Sequence, residues 1–403
     1  MAKKLWLAAV LLLVFVAVSR PAAPLPPAAA DLKSPAGSGS AEPNLAAAPD
    51  GRVFMTWIEP AAGTGKGSVL YVSVLQGNAW SAPKVIARGT NWFVNPADFP
   101  SIVVMLDGTL AAHWLVSNDG PEAEVYDVDL SFSKDGGVSW TKPVVPHRDR
   151  KKRQHGFVSL TPLPDGKLAA VWLDGRNMAD EDHGDMALMY TTITPAGVLG
   201  TESQIDSRVC ECCKTAMAVT PDGLIAVYRD RSDKEIRDIS VSRYANGRWS
   251  APQDLTKDGW KIEGCPINGP AVSSSGKNVA VAWFTAPLEK AQVNLMMSSD
   301  GGKTFGPKIR IDEGNPAGRV EVLSPASGGA IVSWVERTQG NGPQLHLRQI
   351  DANGKVAAVV NVSAAARVAS GGFPKMAASG KGIVVAWTDS GDPSRVHTTV
   401  VNP

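Results

Sequence analysis

The chain has 403 residues, a formal net charge of +1 at pH 7, and 44% hydrophobic against 20% charged residues. This composition excludes an intrinsically disordered chain and permits a large buried core. A charge so close to zero gives no electrostatic basis for binding nucleic acid or an anionic membrane surface. The composition therefore predicts a globular protein, and it says nothing about the chemistry of that protein.

The N-terminus has the pattern of an export signal. Two lysines precede an uncharged apolar run from Leu5 to Val18, and small residues follow as far as Ala30. The run is too short for a comfortable membrane span, so residues 1–30 are predicted to be a signal peptide, with an uncleaved anchor as the alternative. We expect a periplasmic or secreted protein that has no membrane span after cleavage.

After residue 45 the sequence repeats one pattern: an apolar strand, a Gly-containing turn and a second apolar strand that ends in an aromatic residue. Seven such aromatic residues recur at intervals of 51 to 58 residues: Trp57, Trp114, Trp172, Tyr228, Trp283, Trp334 and Trp387. A period just above 50 residues without helical periodicity is typical of one four-stranded propeller blade. The sequence therefore predicts an all-β protein, a β-propeller of seven four-stranded blades over residues 45–403, with six blades as the alternative.

The last copy of the repeat ends near Pro403 after three strands. Residues 31–44, a low-complexity leader, are expected to supply the strand that completes this blade. Joining the two termini within one blade removes the sheet edges that an open ring would expose.

Two of the turns between third and fourth strands share the pattern S-x-D-x-G-x-x-W/F. Its members are Ser133, Asp135, Gly137 and Trp140 in the second copy, and Ser298, Asp300, Gly302 and Phe305 in the fifth. In such a turn the Asp side chain satisfies backbone amides, Gly adopts a positive φ, and the aromatic residue fixes the turn to the blade. The pattern is the Asp-box, and the chain resembles the sialidase-like (BNR/Asp-box) propeller superfamily. The resemblance implies that the boxes are structural and lie outside the blades, away from the active site.

The resemblance also raises the question of sialidase activity. The sialidase mechanism uses three arginines on the substrate carboxylate, an Asp acid/base and a Tyr nucleophile paired with a Glu. In the family this Tyr comes late in the chain, whereas no tyrosine follows Tyr244 here, and the early Arg-Ile-Pro segment is missing. Family sialidases also have six blades. We therefore do not expect authentic sialidase activity, and the sequence leans away from an enzyme.

In a propeller, the loops between second and third strands share a face with the loops between blades, around the mouth of the central channel. Acidic residues recur in these loops, and the candidate catalytic acids are Asp174, Asp230, Glu235 and Glu336. The candidate ligand-binding residues are Arg176, Arg231, Arg237, Arg319, Arg367, His155 and Asn268. The alternative is that these groups form ion pairs and hydrogen bonds that tie the loops together.

Four cysteines are the feature that the repeat does not explain. Cys210, Cys212 and Cys213 precede the fourth copy and Cys265 precedes the fifth, so a propeller would place their loops side by side. In an exported chain they can form two structural disulfides. They can instead bind copper or zinc, with His183 as a further candidate ligand. The acidic loop around His183 makes calcium a weaker alternative.

Three functional hypotheses follow. The first is a monomeric protein that binds a glycan or a protein ligand at the polar channel mouth. The second is a glycoside hydrolase of sialidase type that uses Asp, Glu and Arg residues of the mouth. The third is a copper or redox accessory protein centred on the four cysteines. No cofactor is certain from the sequence.

Overall fold

The computed structural model describes residues 29–63, 67–118, 124–180, 183–340, 342–363, 368–369 and 371–402. The predicted signal peptide up to residue 28, and Arg367, lie outside the described residues. The described residues contain 29 β-strands and one short 3-10 helix, Pro287–Glu289. No helix in these ranges is long and apolar enough to cross a membrane.

The described strands form seven antiparallel sheets, numbered here as blades in chain order. Blade 1 contains β2 (Ala41–Ala47), β3 (Val53–Pro60), β4 (Ser68–Gln76), β5 (Ala79–Trp80) and β6 (Lys84–Gly89). Blade 2 contains β7 (Ser101–Val104), β8 (Leu110–Ser117) and β9 (Tyr126–Ser133). Blade 3 contains β10 (His155–Pro162), β11 (Leu168–Met178), β12 (Gly184–Ile193) and β13 (Ser203–Val209). Blade 4 contains β14 (Ala216–Thr220), β15 (Gly223–Arg229), β16 (Ile239–Ala245), β17 (Arg248–Trp249) and β18 (Gln253–Asp254). Blade 5 contains β19 (Ala271–Ser275), β20 (Asn278–Thr285), β21 (Gln292–Ser298) and β22 (Ile309–Arg310). Blade 6 contains β23 (Pro316–Leu323), β24 (Ala330–Thr338), β25 (Gly342–Ile350) and β26 (Val360–Asn361). Blade 7 contains β27 (Lys375–Ser379), β28 (Gly382–Thr388), β29 (Val396–Val401) and β1 (Ala29–Leu32).

The blades close into a ring. The first strands of the blades contact one another in the order β2, β7, β10, β14, β19, β23 and β27, and β27 returns to β2. Strand β1 pairs with β29, from Ala29 opposite Val401 to Leu32 opposite Thr398, and so completes blade 7 from the N-terminal side. The predicted seven-bladed propeller, closed by both termini in one blade, is confirmed.

The outer strands are less regular than the repeat predicts. In blade 2 the fourth strand is reduced to a single bridge between Leu130 and Val144. Pro143 and Pro146 lie on either side of this bridge, and proline has no backbone N–H to donate to a ladder. In blades 1 and 4 the fourth strand is divided into two short segments, β5 and β6, and β17 and β18.

The aromatic residue of each repeat is buried, and in three blades it is hydrogen-bonded to the acid two residues later. The indole Nε1 atoms of Trp57, Trp172 and Trp334 donate to Glu59, Asp174 and Glu336 over 2.7, 2.7 and 2.6 Å. Residues i and i+2 of a strand lie on the same face, so the spacing itself brings the two groups together. Much of the recurrence of acids along the rim thus has a structural cause.

Both Asp-boxes have the geometry that their sequence predicts. In the first, Asp135 Oδ1 accepts from Ser133 Oγ at 2.8 Å and from the Ser139 amide at 2.9 Å. Asp300 makes the equivalent bonds with Ser298 and Thr304 in the second. The aromatic members Trp140 and Phe305 pack against the apolar clusters of their blades. Each box thus closes the turn after a third strand.

The glycines of the boxes also face the preceding blade. Gly302 has φ +77°, and a Cβ atom there would lie 2.7 Å from Ile225 Cδ1 of blade 4. Gly137 has φ +85°, and its Cβ would lie 3.0 Å from Val72 Cγ1 of blade 1. A side chain at either position would have both a strained backbone and a steric conflict between blades.

The channel contains one cluster of charged side chains from three blades. The Nζ atoms of Lys214 and Lys375 lie 2.6 and 2.7 Å from the same oxygen of Glu321. Lys375 Nζ also lies 4.0 Å from the centroid of the Phe99 ring. These residues line a cavity of about 290 Å³ among the inner strands, so blades 2, 4, 6 and 7 meet in one polar cluster.

We expect Gly302→Ala to lower the free energy of unfolding by about 1–3 kcal/mol, because the new methyl group overpacks the contact with Ile225. The matched control is Gly276→Ala, where φ is also positive (+58°) but a Cβ atom would have no neighbour within 4 Å. Urea denaturation measures both. Equal losses for the two variants would show that backbone strain alone, and no contact between blades, selects glycine in the box.

A second prediction concerns Glu321. Burial raises the pKa of its carboxyl, but Lys214 and Lys375 outweigh burial and hold the pKa at about 2, below the ordinary 4.5. A depressed folded-state pKa contributes stability that is present above pH 4.5 and is lost as the pH falls towards 2. Glu321→Gln should therefore cost about 2 kcal/mol of unfolding free energy at pH 7, because two ammonium groups lose their carboxylate.

Urea denaturation at a series of pH values checks this prediction. The deficit of Glu321→Gln relative to the unsubstituted protein should shrink between pH 4.5 and 2. Glu313→Gln is the control, because Glu313 forms a half-exposed ion pair with Arg348 and exposed pairs contribute little. A deficit that does not change with pH would contradict the assignment.

Candidate functional site

Loops of blades 2, 3 and 4 surround a cleft of about 260 Å³, here called the thiol cleft. Its wall includes Met178, Met186, Glu211, Cys212, Arg231, Arg237 and Cys265. Met178 and Met186 lie at the ends of β11 and β12 that face one connecting loop, and the other residues come from the loop between the second and third strands of blade 4 and from the loops between blades. The structure thus brings the two cysteine-bearing loops together at one cleft.

All four cysteines are free thiols in the structure. Cys210 Sγ lies 3.2 Å from Cys213 Sγ and 3.9 Å from Cys212 Sγ. Cys212 is also within hydrogen-bonding reach of Cys265, which comes from the loop that enters blade 5. Cys210 and Cys213 are buried, whereas Cys265 is exposed. One side of the sulfur cluster is therefore accessible from the cleft.

A buried guanidinium accompanies the sulfur cluster. Arg237 Nη1 lies 3.3 Å from Cys210 Sγ. Burial raises the pKa of the Cys210 thiol, but hydrogen bonds from Cys212 and Cys213 and the charge of Arg237 outweigh burial and bring this pKa well below its usual value. The pKa of Cys265 is lowered as well, first by its hydrogen bond with Cys212. The cluster therefore favours thiolate at two of its four sulfurs.

Two arginines and two glutamates form a closed charge network beside the sulfurs. Arg237 donates to Glu211 Oε2 at 2.6 Å and to Glu235 Oε2 at 3.0 Å. Arg231 bonds to the same two glutamates, with Nε 3.0 Å from Glu235 Oε1. These contacts occupy three predicted site residues, Arg231, Arg237 and Glu235, and they hold the Cys210–Cys213 loop on blade 4. The network matches the alternative of loop-tying ion pairs.

The other candidate acids also have partners. Asp174 is fully buried and bonds to Trp172 and to Arg176, whose other partner is Glu202. Asp230 accepts from Ser240 Oγ at 2.8 Å, and burial raises the pKa of Asp230. Glu336 accepts from Trp334 and from the amide of Asn315 in blade 6. The four candidate acids are thus distributed over three blades and do not meet in one site.

Asn268 and Arg319 lie together in a second cleft of about 440 Å³, at the junction of blades 5 and 6. Asn268 Oδ1 accepts from the Arg319 amide at 2.9 Å, and the Arg319 guanidinium stacks 4.4 Å from the centroid of the Phe373 ring. Burial lowers the pKa of Arg319. His183 is exposed and bonded to Asp180, and the residues that follow Asp180 lie outside the described ranges. Its predicted role as a metal ligand stays a prediction.

Sequence reasoning places Arg229 and His147 at the rim but does not predict the contacts that they make there. Arg229 is buried and donates to the carbonyls of Arg237, Asn268 and Phe284, so its guanidinium joins blade 4 to blade 5. His147 stacks on His155 with ring centroids 3.7 Å apart. No local sequence motif predicts either arrangement, although His147 and Asp149 are close to His155 in the sequence.

Comparison with known proteins identifies the family of this chain and solved structures that share its fold. The family model of the BNR repeat-like domain matches residues 51–347. No curated protein matches the sequence. Among solved structures, the chain is similar to a protein of unknown function from Dyadobacter fermentans, with a TM-score of 0.53 and 14% identity over 94% of this chain and 98% of that one.

Two glycosidases are similar in fold. The α-L-arabinanase of Penicillium chrysogenum has a TM-score of 0.52 and 15% identity, over 93% of this chain and 99% of that one. The α-L-arabinofuranosidase of Fusarium graminearum has a TM-score of 0.51 and 13% identity, over 90% of this chain and 93% of that one. Identities this low show a shared fold and leave function to the site. With the family model matching residues 51–347, the chain belongs to the BNR repeat-like domain family, and its Asp-boxes and ring of blades agree with that membership.

Proposed function

We propose that this protein is an exported propeller that binds a soft metal ion, Cu(I), at the thiol cleft. The observation that carries the proposal is that three cysteines of one loop lie beside a cysteine of a second loop. The Cys210 sulfur lies 3.2 and 3.9 Å from those of Cys213 and Cys212, and Cys212 is within hydrogen-bonding reach of Cys265. Thiolates of closely spaced cysteines are preferred donors for Cu(I) and Zn(II).

The remaining cleft wall favours copper over zinc. Met178 and Met186 line the same cleft as Cys212 and Cys265, and Met186 is also part of the buried apolar cluster beneath it. Thioether ligands select Cu(I), whereas structural zinc sites use thiolate, imidazole and carboxylate donors. The accessible Cys265 and the cleft together give an ion, or a metal-donating partner, a path to the buried Cys210.

The charge network supports the same role. Arg237 stabilises thiolate at Cys210, and Glu211 and Glu235 neutralise Arg237 in turn. A group that lowers the pKa of a thiol favours its thiolate form, which is the form that binds a metal. Two structural disulfides remain the competing interpretation of the same four residues, and counting thiols separates the two.

We expect the protein, purified without oxidant, to show four free thiols and to bind one equivalent of Cu(I) in competition with a colorimetric chelator. Cys212→Ser should weaken binding by more than about 100-fold, the upper end of what the loss of an outer-shell partner costs. Met178→Leu should weaken it less, and Met217→Leu, which removes a buried thioether outside the cleft, should leave it unchanged. The proposal fails if thiols appear only after reduction, because the cysteines are then disulfides.

The second candidate function is glycoside hydrolysis, which the fold shared with an arabinanase and an arabinofuranosidase favours. Glu211 in the cleft wall and Glu235, which bonds to Arg231 and Arg237 of that wall, are then the acid and base candidates, because paired carboxylates carry out this chemistry. Its test is turnover of a panel of chromogenic arabinosides and sialosides. Glu235→Gln should abolish any turnover found, while Glu313→Gln at the surface should preserve it, and a panel without turnover removes this candidate.

A further inference from the structure

Two histidines and two aspartates meet where blade 2 joins blade 3, outside the thiol cleft. His147 and Asp149 lie in the loop between the blades, His155 begins β10, and Asp127 lies in β9. The two imidazole rings are parallel, with an interplanar angle of 1° and centroids 3.7 Å apart. Their side chains are almost completely buried, with exposed fractions of 4% for His147 and 0% for His155.

Each ring has one nitrogen at each aspartate. Asp127 Oδ1 lies 3.3 Å from His147 Nε2 and 3.2 Å from His155 Nδ1. On the opposite edges of the rings, Asp149 Oδ1 lies 3.3 Å from His147 Nδ1 and 3.2 Å from His155 Nε2. Asp174 adds a third carboxylate, 3.7 Å from His155 Nε2. The arrangement has two edges, and both gather nitrogen and oxygen donors.

The Asp127 edge is not satisfied by hydrogen bonds. Within the described ranges, Asp127 Oδ1, His147 Nε2 and His155 Nδ1 at this edge are buried atoms without a hydrogen bond of acceptable geometry, and so are His147 Nδ1 and Asp149 Oδ1 at the opposite edge. A buried polar atom left in this state costs about 1–3 kcal/mol. The opposite edge does contain a hydrogen bond, between His155 Nε2 and Asp149 Oδ2 at 3.3 Å. The Asp149 edge therefore has one hydrogen bond between a ring and a carboxylate, whereas the Asp127 edge has none.

A shared cation accounts for the Asp127 edge. Zinc bonds to nitrogen and oxygen of about 2.0–2.1 Å in a tetrahedron give distances of about 3.3–3.4 Å between ligand atoms. The two nitrogen–oxygen distances at this edge are 3.2 and 3.3 Å. The three donor atoms, one from each residue, also lie within 4.8 Å of one another. Because a metal ion lies in the plane of each imidazole that binds it, the two parallel rings would tilt toward one ion that bonds to all three atoms.

We propose that Asp127, His147 and His155 bind a borderline divalent cation, Zn(II) in preference to Ca(II), and that Asp149 is the positioning residue that holds both imidazoles from their far side. A carboxylate on the second nitrogen of a ligating histidine fixes the orientation and tautomer of the ring. Asp149 is well placed for this because its side chain is 7% exposed, whereas that of Asp127 is 28% exposed.

The surroundings give the cation access and select its type. A cleft of about 610 Å³ opens over Asp127 and His147, and its rim carries Arg148, Arg150, Lys151 and Lys152. Such a basic rim disfavours a site that relies on charge alone, as calcium sites do, whereas imidazole nitrogen suits zinc and its neighbours in the transition series. The same rim would attract an anion to a bound ion. This site is distinct from the thiol cleft, because the two clefts share no lining residue among the residues that the structure describes.

The test is titration of the chelator-treated full-length protein with Co(II) and then with Zn(II). A nitrogen/oxygen site gives a visible cobalt band without the near-ultraviolet thiolate charge-transfer band that the cysteines would produce. We expect one such equivalent, displaced by Zn(II). His147→Ala should weaken Zn(II) binding by more than about 100-fold, and Asp149→Asn by about 10–100-fold. The control His346→Ala, a buried histidine of blade 6, should bind as the unsubstituted protein does.

Circular dichroism confirms that each variant is folded. If His147→Ala does not fold, Asp127→Asn at the edge of the cleft carries the same expectation. The proposal is overturned if all bound cobalt shows thiolate charge transfer, or if a folded Asp127 or His147 variant titrates as the unsubstituted protein does. Cu(I) binding at the cysteines is measured separately, so failure of one site does not imply failure of the other.

Discussion

Closure of the ring is the constraint on which the rest of the structure depends. Strand β1 pairs with β29, so the first described residues supply the outer strand of the last blade and join the two ends of the chain in one sheet. With the ring closed, loops that are far apart in the sequence reach one rim. The thiol cleft exists because the loops that enter blades 4 and 5 become neighbours, and Arg229 then ties blade 4 to blade 5 through backbone carbonyls of both.

Within each blade, short-range rules repeat and explain many residues that look functional in isolation. The acid two residues after the aromatic accepts the indole N–H at Trp57, Trp172 and Trp334, so a carboxylate is needed there even in a protein without catalysis. The Asp-box carboxylates accept several hydrogen bonds, which lower the pKa of Asp135 and Asp300. A residue that recurs with the blade period is therefore best explained by the blade.

The residues that do not recur with the blade period form the two clusters with unusual donor groups. Four thiols meet between blades 3, 4 and 5, and two stacked imidazoles meet two carboxylates between blades 2 and 3. One group consists of soft donors and the other of borderline donors, so the ions proposed for the two groups differ. Both lie on the arc of blades 2 to 5, whereas the junction of blades 5 and 6 presents an amide and a stacked guanidinium instead.

The sequence by itself determined the seven blades, the Asp-boxes and the proximity of Cys210–Cys213 to Cys265, because strand alternation and turn chemistry are local and a constant period implies a ring. The sequence did not determine that Arg231, Arg237 and Glu235 neutralise one another. It also did not determine that the fourth strand of blade 2 is reduced to a single bridge beside Pro143. The tertiary structure alone decided that His147 stacks on His155 and that Asp127 and Asp149 face opposite edges of the pair. Such contacts depend on side-chain directions across blade junctions, and no spacing along the chain encodes those directions.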